Sequence, residues 1–103
     1  MPATSAPAVR ATPKEDVETR LAPLWRVLIH NDDITPFDFV MGVLIQIFKL
    51  STIRAFQVTL EAHRGGVALV VVEAREHAEF HIEQAHSLAR GRKFPLTFTM
   101  EPA

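Results

Sequence analysis

The sequence predicts an α+β fold in which a small three-stranded antiparallel sheet packs one face against three helices. Three apolar runs of strand length and three segments of helical periodicity predict it, in the order strand, helix, helix, strand, helix, strand. A chain of 103 residues holds one core of this size. We therefore expect a single core domain over residues 24–103.

Residues 1–23 differ in composition from the rest of the chain. They are rich in Ala, Pro and Thr and have almost no large apolar side chain before Leu21. Such a segment buries too little apolar surface to offset the conformational entropy of ordering it. We expect a flexible N-terminal arm, which is either a solvated tail or a segment that takes part in tethering or delivery.

Composition excludes several classes of function. Eleven basic and 12 acidic residues give a net charge of −1, which is not the positive field that nucleic-acid binding requires. The chain has no cysteine, which is typical of a reducing compartment, so we expect a cytoplasmic protein. No apolar stretch reaches the roughly 20 residues that span a bilayer, and the N-terminus lacks a signal-peptide core. We expect no membrane association.

The first strand is predicted over residues 24–29, a short apolar run that ends at a polar corner. After this corner, Thr35 is a candidate N-cap, Pro36 suits the first helical position and Asp38 falls at the third. The sequence therefore predicts that the first helix begins here. Its apolar positions are Val40, Met41, Leu44, Ile45, Ile47 and Phe48.

A second helix is predicted to begin after Ser51, whose hydroxyl is a candidate cap. Ile53, Phe56 and Leu60 are expected to form its apolar stripe, and Gly65-Gly66 to end it.

The second strand is predicted over residues 67–72, whose continuous β-branched run is typical of a central strand. A third helix follows over residues 75–90 and ends at Gly91, and a final strand covers residues 96–100. We expect the second and third strands to pair with each other. The inward stripe of the third helix is expected at Ala78, Ile82, Ala85 and Ala89.

The polar corner after the first strand concentrates hydrogen-bonding groups at Asn31, Asp32 and Asp33. Taken alone, such a run commonly satisfies the amides of a turn and of a helix start. His63, near the end of the second helix, is in the same way a common partner of the helix dipole. A binding role for these residues depends on the pattern that they form together.

A metal-dependent enzyme is one alternative, because His77 and His81 lie one turn apart on the third helix. However, the first histidine is not followed directly by glutamate, as in the zinc-hydrolase motif His-Glu-x-x-His. The sequence offers no obvious further ligand, so we expect no metal and no other cofactor.

The run from Trp25 to Val40, the string Leu60-Glu61-Ala62-His63 and the string Phe94-Pro95-Leu96 together resemble the Clp protease adaptor family, ClpS. The resemblance covers residues 24–102 in one register. It implies a monomeric adaptor rather than an enzyme. Such an adaptor binds proteins that begin with Phe, Leu, Trp or Tyr and delivers them to a Clp-type AAA+ unfoldase.

By this resemblance, Asn31, Asp32 and His63 hold the free α-amino group of the bound protein. An amino cation needs such acceptors, which the amide oxygen, the carboxylate and a neutral imidazole supply. An apolar pocket beside them takes the first side chain. Its rim and walls are implied at Asp33, Thr35, Phe37, Thr59, Ala62 and Leu96.

Three pocket positions depart from the family's usual residues. Phe37 and Thr59 stand where Met is common, and Ala62 stands where Val is typical. A stiffer Phe37 narrows one side of the pocket, whereas Thr59 and Ala62 open another.

The resemblance also implies a surface that docks on the N-terminal domain of the unfoldase, at Ile34, Glu76 and His81. Glu76 matches the family, whereas His81 replaces a familiar Lys and Ile34 a familiar Tyr. A second alternative follows: a related module that docks on the ATPase and modulates it without reading N-termini.

Overall fold

The computed structural model describes residues 23–103, so the predicted arm lies outside the described residues except for Pro23. Three strands and three helices follow in the predicted order, which confirms the α+β fold. No helix in residues 23–103 is long and apolar enough to cross a membrane. The elements are β1 (Leu24–His30), α1 (Phe37–Gln46), α2 (Thr52–Gly65), β2 (Val67–Ala74), α3 (Arg75–Gly91) and β3 (Thr97–Pro102).

The three strands form one antiparallel sheet in the order β2-β1-β3. β1 pairs along its length with both neighbours, and its Val27 and Ile29 are buried in the core. The predictions that β2 is central and that β2 pairs with β3 were therefore wrong. β2 is an edge strand, with Val67 and Val72 about two-fifths exposed. α3 crosses over β1 to connect the two edges, which leaves room for β1 between them.

The core lies between one face of the sheet and the three helices, and its largest fully buried side chains are Ile29, Leu44, Val27 and Val58. α2 turns small residues toward this core, whereas Ile53 and Phe56 are 71% and 48% exposed. The predicted apolar stripe of α2 was therefore wrong for these two residues. Small side chains let the helix axis approach its neighbours closely and leave the larger ones outside. The buried residues of α2 are Ala55, Val58, Thr59 and Ala62.

The helix ends follow local hydrogen bonds. Ser51 caps α2 as predicted, because its hydroxyl oxygen accepts a hydrogen bond from the amide of Arg54 at 3.1 Å. Thr35 does not cap α1. The carbonyl oxygen of Pro36 accepts the first helical hydrogen bond, from the amide of Val40 at 3.1 Å, and the Thr35 hydroxyl donates elsewhere.

Candidate functional site

The end of β1 is tied to the end of α2. The amide of Asn31 donates a hydrogen bond to the carbonyl oxygen of Gly66 at 2.9 Å, and the amide of Gly66 donates to the carbonyl oxygen of Ala62 at 2.8 Å. Gly66 has a φ of 92°, a left-handed conformation that glycine adopts without a steric penalty. These two bonds place Asn31 beside the last helical turn, which carries His63.

Asp32 organises the polar corner. Its Oδ1 accepts hydrogen bonds from the amides of Ile34 and Thr35 at 2.8 and 2.7 Å, and its Oδ2 accepts one from the Thr35 hydroxyl at 2.9 Å. Burial raises the pKa of the Asp32 carboxyl, but these three bonds outweigh burial and hold the pKa below its ordinary value of 3.8. Asp32 therefore satisfies the amides of the turn, as such a run commonly does. Its carboxylate carries a negative charge at neutral pH.

A cavity of about 190 Å³ opens between this corner, α1, α2 and the segment before β3. Each residue that the resemblance assigned to the α-amino group or to the pocket lines this one cavity. They are Asn31, Asp32, Asp33, Thr35, Phe37, Thr59, Ala62, His63 and Leu96.

Three residues that were not predicted from the sequence also line the cavity. They are Ile29, His30 and Val40. Their positions carried a signal, since Val40 lies one turn after Phe37 on α1 and Ile29 points inward at the end of β1. His30 is oriented by a hydrogen bond of 2.7 Å between its Nε2 and the Thr99 hydroxyl on the neighbouring strand.

The cavity has a polar rim and an apolar floor. Asn31, Asp33 and His63 are exposed, whereas Thr59, Ala62 and Leu96 are at most 5% exposed. The Thr59 hydroxyl donates a hydrogen bond to the carbonyl oxygen of Ala55 at 2.7 Å. Because its proton is used within α2, Thr59 offers no donor to the cavity. The arrangement suits a ligand with a charged end and an apolar side chain.

The residues of the implied docking surface do not meet at one point. Ile34 is 66% exposed before the start of α1, whereas the His81 ring lies 5.5 Å from the Phe48 ring beyond the helix end. A helix of 10 residues is about 15 Å long, so Ile34 and His81 lie at opposite ends of α1. Glu76 is exposed in the first turn of α3, and His81 Nδ1 lies 2.9 Å from Glu73 Oε2.

His77 and His81, the residues of the metal alternative, have ring centroids 6.4 Å apart on α3. Within residues 23–103, no group of three or more metal-ligating side chains is placed to hold an ion. This pair therefore gives no structural support to a metal-dependent reaction.

Comparison with known proteins identifies the family of this chain. The family model described as the ATP-dependent Clp protease adaptor protein ClpS matches residues 20–99. The adapter protein ClpS of Gloeobacter violaceus is 43% identical over 86% of this chain and 90% of its own length. That of Desulfotalea psychrophila is 40% identical over 84% of this chain and 85% of its own length.

A solved structure of a ClpS protein has the same fold. Agrobacterium tumefaciens ClpS2, determined with bound L-phenylalaninamide, is 42% identical and superposes with a TM-score of 0.76. The match covers 79% of this chain and 98% of that one. The fold, the cavity at the polar corner and these relatives together show that this chain belongs to the ClpS family of ATP-dependent Clp protease adaptors.

Proposed function

We propose that this adaptor binds the free α-amino group and the large hydrophobic first residue of proteins and delivers them to a Clp-type AAA+ unfoldase. The observation that carries the proposal is the single cavity that joins an acceptor-rich rim to a buried apolar floor. Agrobacterium tumefaciens ClpS2 was solved with L-phenylalaninamide, a molecule that has both of these groups. The Phe, Leu, Trp and Tyr side chains are the candidates for the first position.

The rim suits an amino cation. Near neutral pH an α-amino group is mostly protonated and has three N–H donors. The side-chain oxygen of Asn31, the carboxylate of Asp32 and a neutral ring nitrogen of His63 are acceptors around it. Asp32, whose pKa lies below its ordinary value, carries a negative charge near neutral pH, so the cation gains an electrostatic attraction as well.

The free energies expected from the pocket and from the hydrogen bonds are consistent with reversible binding. Burying a Phe or Leu side chain contributes roughly 1.5 to 3 kcal/mol. Each charge-assisted hydrogen bond contributes roughly 1.5 to 3 kcal/mol. Two or three such bonds with the pocket reach about 8 kcal/mol, which corresponds to a dissociation constant near ~1 μM before the cost of ordering the peptide. We therefore expect measured constants in the micromolar range or weaker.

The test is a titration of two fluorescent peptides of one sequence that begins with Phe, one with a free N-terminus and one N-acetylated. We expect the free peptide to bind at least about a hundredfold more tightly, because acetylation removes the charge and two donors. Equal affinities would contradict the proposal and would favour a module that acts on the ATPase without reading N-termini. Peptides that begin with Gly or Ser test the apolar part, and we expect them to bind more weakly than those that begin with Phe.

Delivery requires a contact with the unfoldase, which we propose at its N-terminal domain over an extended surface, with Glu76 and His81 on α3 and Ile34 at the far end of α1. Pull-down with that domain is expected to weaken for Glu76→Ala and His81→Ala. Glu83→Ala is the matched control on α3, since Glu83 has a 73% exposed side chain. Undiminished pull-down by both test variants would place the contact elsewhere.

We further propose that the adaptor acts as a monomer in the cytoplasm, in keeping with its cysteine-free sequence. A sedimentation-equilibrium mass of about one chain is expected, and a dimer mass would contradict this.

A further inference from the structure

Two phenylalanines of different helices meet at the mouth of the cavity. Phe37, the first residue of α1, has its ring centroid 5.8 Å from that of Phe56 on α2, with the planes inclined at 58°. Phe37 lines the cavity, whereas Phe56 is absent from its lining. Phe56 is 48% exposed and directed away from the core. The exposed Phe56 ring therefore contacts one wall of the site from behind.

Phe37 is the wall with the most freedom to move. Of the apolar side chains that line the cavity in residues 23–103, those other than Phe37 are at most 8% exposed, whereas Phe37 is 39% exposed. Close packing fixes a buried side chain in one rotamer. An exposed ring at a helix start is not fixed in that way, so the cavity width depends on whatever holds Phe37. The buried apolar walls are Ile29, Val40, Ala62 and Leu96.

We propose that Phe56 is a positioning residue that holds the Phe37 ring at the mouth and so sets which first side chain the cavity accepts. The proposal rests on the proposed function, because it concerns how the same cavity selects its ligand. Tilted aromatic pairs at this separation are favourable beyond the area that they bury. With Phe56 in place, the ring of Phe37 bounds a cavity of fixed width.

The expected consequence is a preference by size. A Leu side chain fills the narrowed cavity without displacing Phe37, whereas a Trp side chain must push the ring against Phe56. Without Phe56, the ring is free to rotate away. A Leu side chain then loses a wall that packs against it, and a Trp side chain gains the room that it needs.

The experiment measures the affinities of two peptides that differ only in a free N-terminal Leu or Trp, for the wild-type protein and for Phe56→Ala. The coupling of an aromatic pair corresponds to about a threefold to tenfold effect. We expect the Leu peptide to bind more weakly by about this factor and the Trp peptide to bind at least as tightly as it binds the wild-type protein. The ratio of Trp affinity to Leu affinity should then rise by about the same factor.

Three further variants separate positioning from a general structural effect. Ile53→Ala removes an exposed apolar side chain one turn earlier on α2 and should leave the ratio unchanged. Phe56→Tyr keeps the ring and should restore the wild-type ratio. In a Phe37→Ala background, Phe56→Ala should have no additional effect on the ratio, because its influence passes through Phe37.

An unchanged ratio in Phe56→Ala, or the same shift in the Phe37→Ala background, would overturn the inference while the proposed function stands. A wild-type protein that binds neither peptide, nor one that begins with Phe, would instead refute the proposed function and this inference with it.

Discussion

The ring of His86 closes the edge of β3: its Nε2 accepts a hydrogen bond from the backbone amide of Phe98 at 2.9 Å. β3 is an edge strand that pairs with β1 on one side only. An edge amide without a partner is a liability in a small sheet, and α3 supplies the partner through this ring. Leu96 on the cavity wall lies two residues earlier, so the same contact helps to anchor the site.

Acidification is expected to weaken this edge. Burial and the positive charge of Arg90 lower the pKa of His86 below its ordinary value of 6.5, against the opposing effect of Glu83. The neutral ring is therefore favoured in the folded state. Its contribution to the free energy of unfolding is present above pH 6.5 and is lost as the pH falls through the lower folded pKa. Urea unfolding at a series of pH values measures this loss.

The matched variants for this prediction are His86→Gln, which keeps an acceptor but does not titrate, and His77→Gln on an exposed position of α3. We expect His86→Gln to flatten the pH dependence below 6.5 and His77→Gln to leave it as in the wild type. Parallel curves for the wild type and His86→Gln would contradict the assignment.

Asp32→Ala is expected to lower the free energy of unfolding by about 1 to 2 kcal/mol, because three hydrogen bonds that hold the corner are lost. Asp33→Ala is the neighbouring control and should change it by less than about 0.5 kcal/mol, since Asp33 is exposed. The contribution of Asp32 is present above pH 3.8 and disappears as the pH falls through its lower folded pKa. Equal effects of the two variants in chemical denaturation would count against this role.

Gly66→Ala and Gly65→Ala are expected to change stability in opposite directions. An added Cβ meets nothing within 4 Å at either position, so neither substitution causes a clash. Gly66 has a φ of 92°, and a side chain there costs about 1 to 2 kcal/mol of backbone strain. Gly65 is helical, and alanine gains up to about 1 kcal/mol there. Denaturation curves that shift the same way would argue against this explanation.

Thr59→Met is expected to fill part of the cavity from its floor, because Thr59 is buried and lines it. Overfilling costs about 1 kcal/mol or more, so a peptide that begins with Trp should lose at least about fivefold in affinity. A peptide that begins with Leu should lose less. Gln57→Met places the same side chain on an exposed position of α2 and serves as the control. Equal losses for both peptides would contradict a role for Thr59 in the cavity's depth.

The order of elements was predictable because strand and helix periodicities, the Ser51 cap and the Gly65-Gly66 stop are local signals. The position of β1 in the sheet was not, since the hydrophobicity of a strand reports its burial and not its neighbours. β2 has the β-branched run that is typical of a central strand, but it lies at the edge of the sheet.

Within the site, the resemblance identified residues that do line one cavity, but three details became visible only in the structure. The sequence indicated that the Asn31–Asp33 run could satisfy turn amides, but the specific partners of Asp32 depend on how the chain turns after β1. The exposure of Phe56 depends on how closely α2 approaches the core, because an apolar stripe counts hydrophobicity and ignores side-chain size. The contact between Phe56 and Phe37 joins two different helices, so no spacing within one helix predicts it.

The central position of β1 in the sheet determines which parts of the molecule unfold together. Its amides and carbonyls are bonded to strands on both sides, so amide hydrogen exchange at Val27 and Ile29 should require cooperative unfolding of the whole sheet. The corner that follows it, from Asn31 to Thr35, is exposed or partly exposed and should exchange through small local fluctuations. A ligand held at this junction would slow exchange at the corner first, while exchange in the strand would report the overall gain in stability.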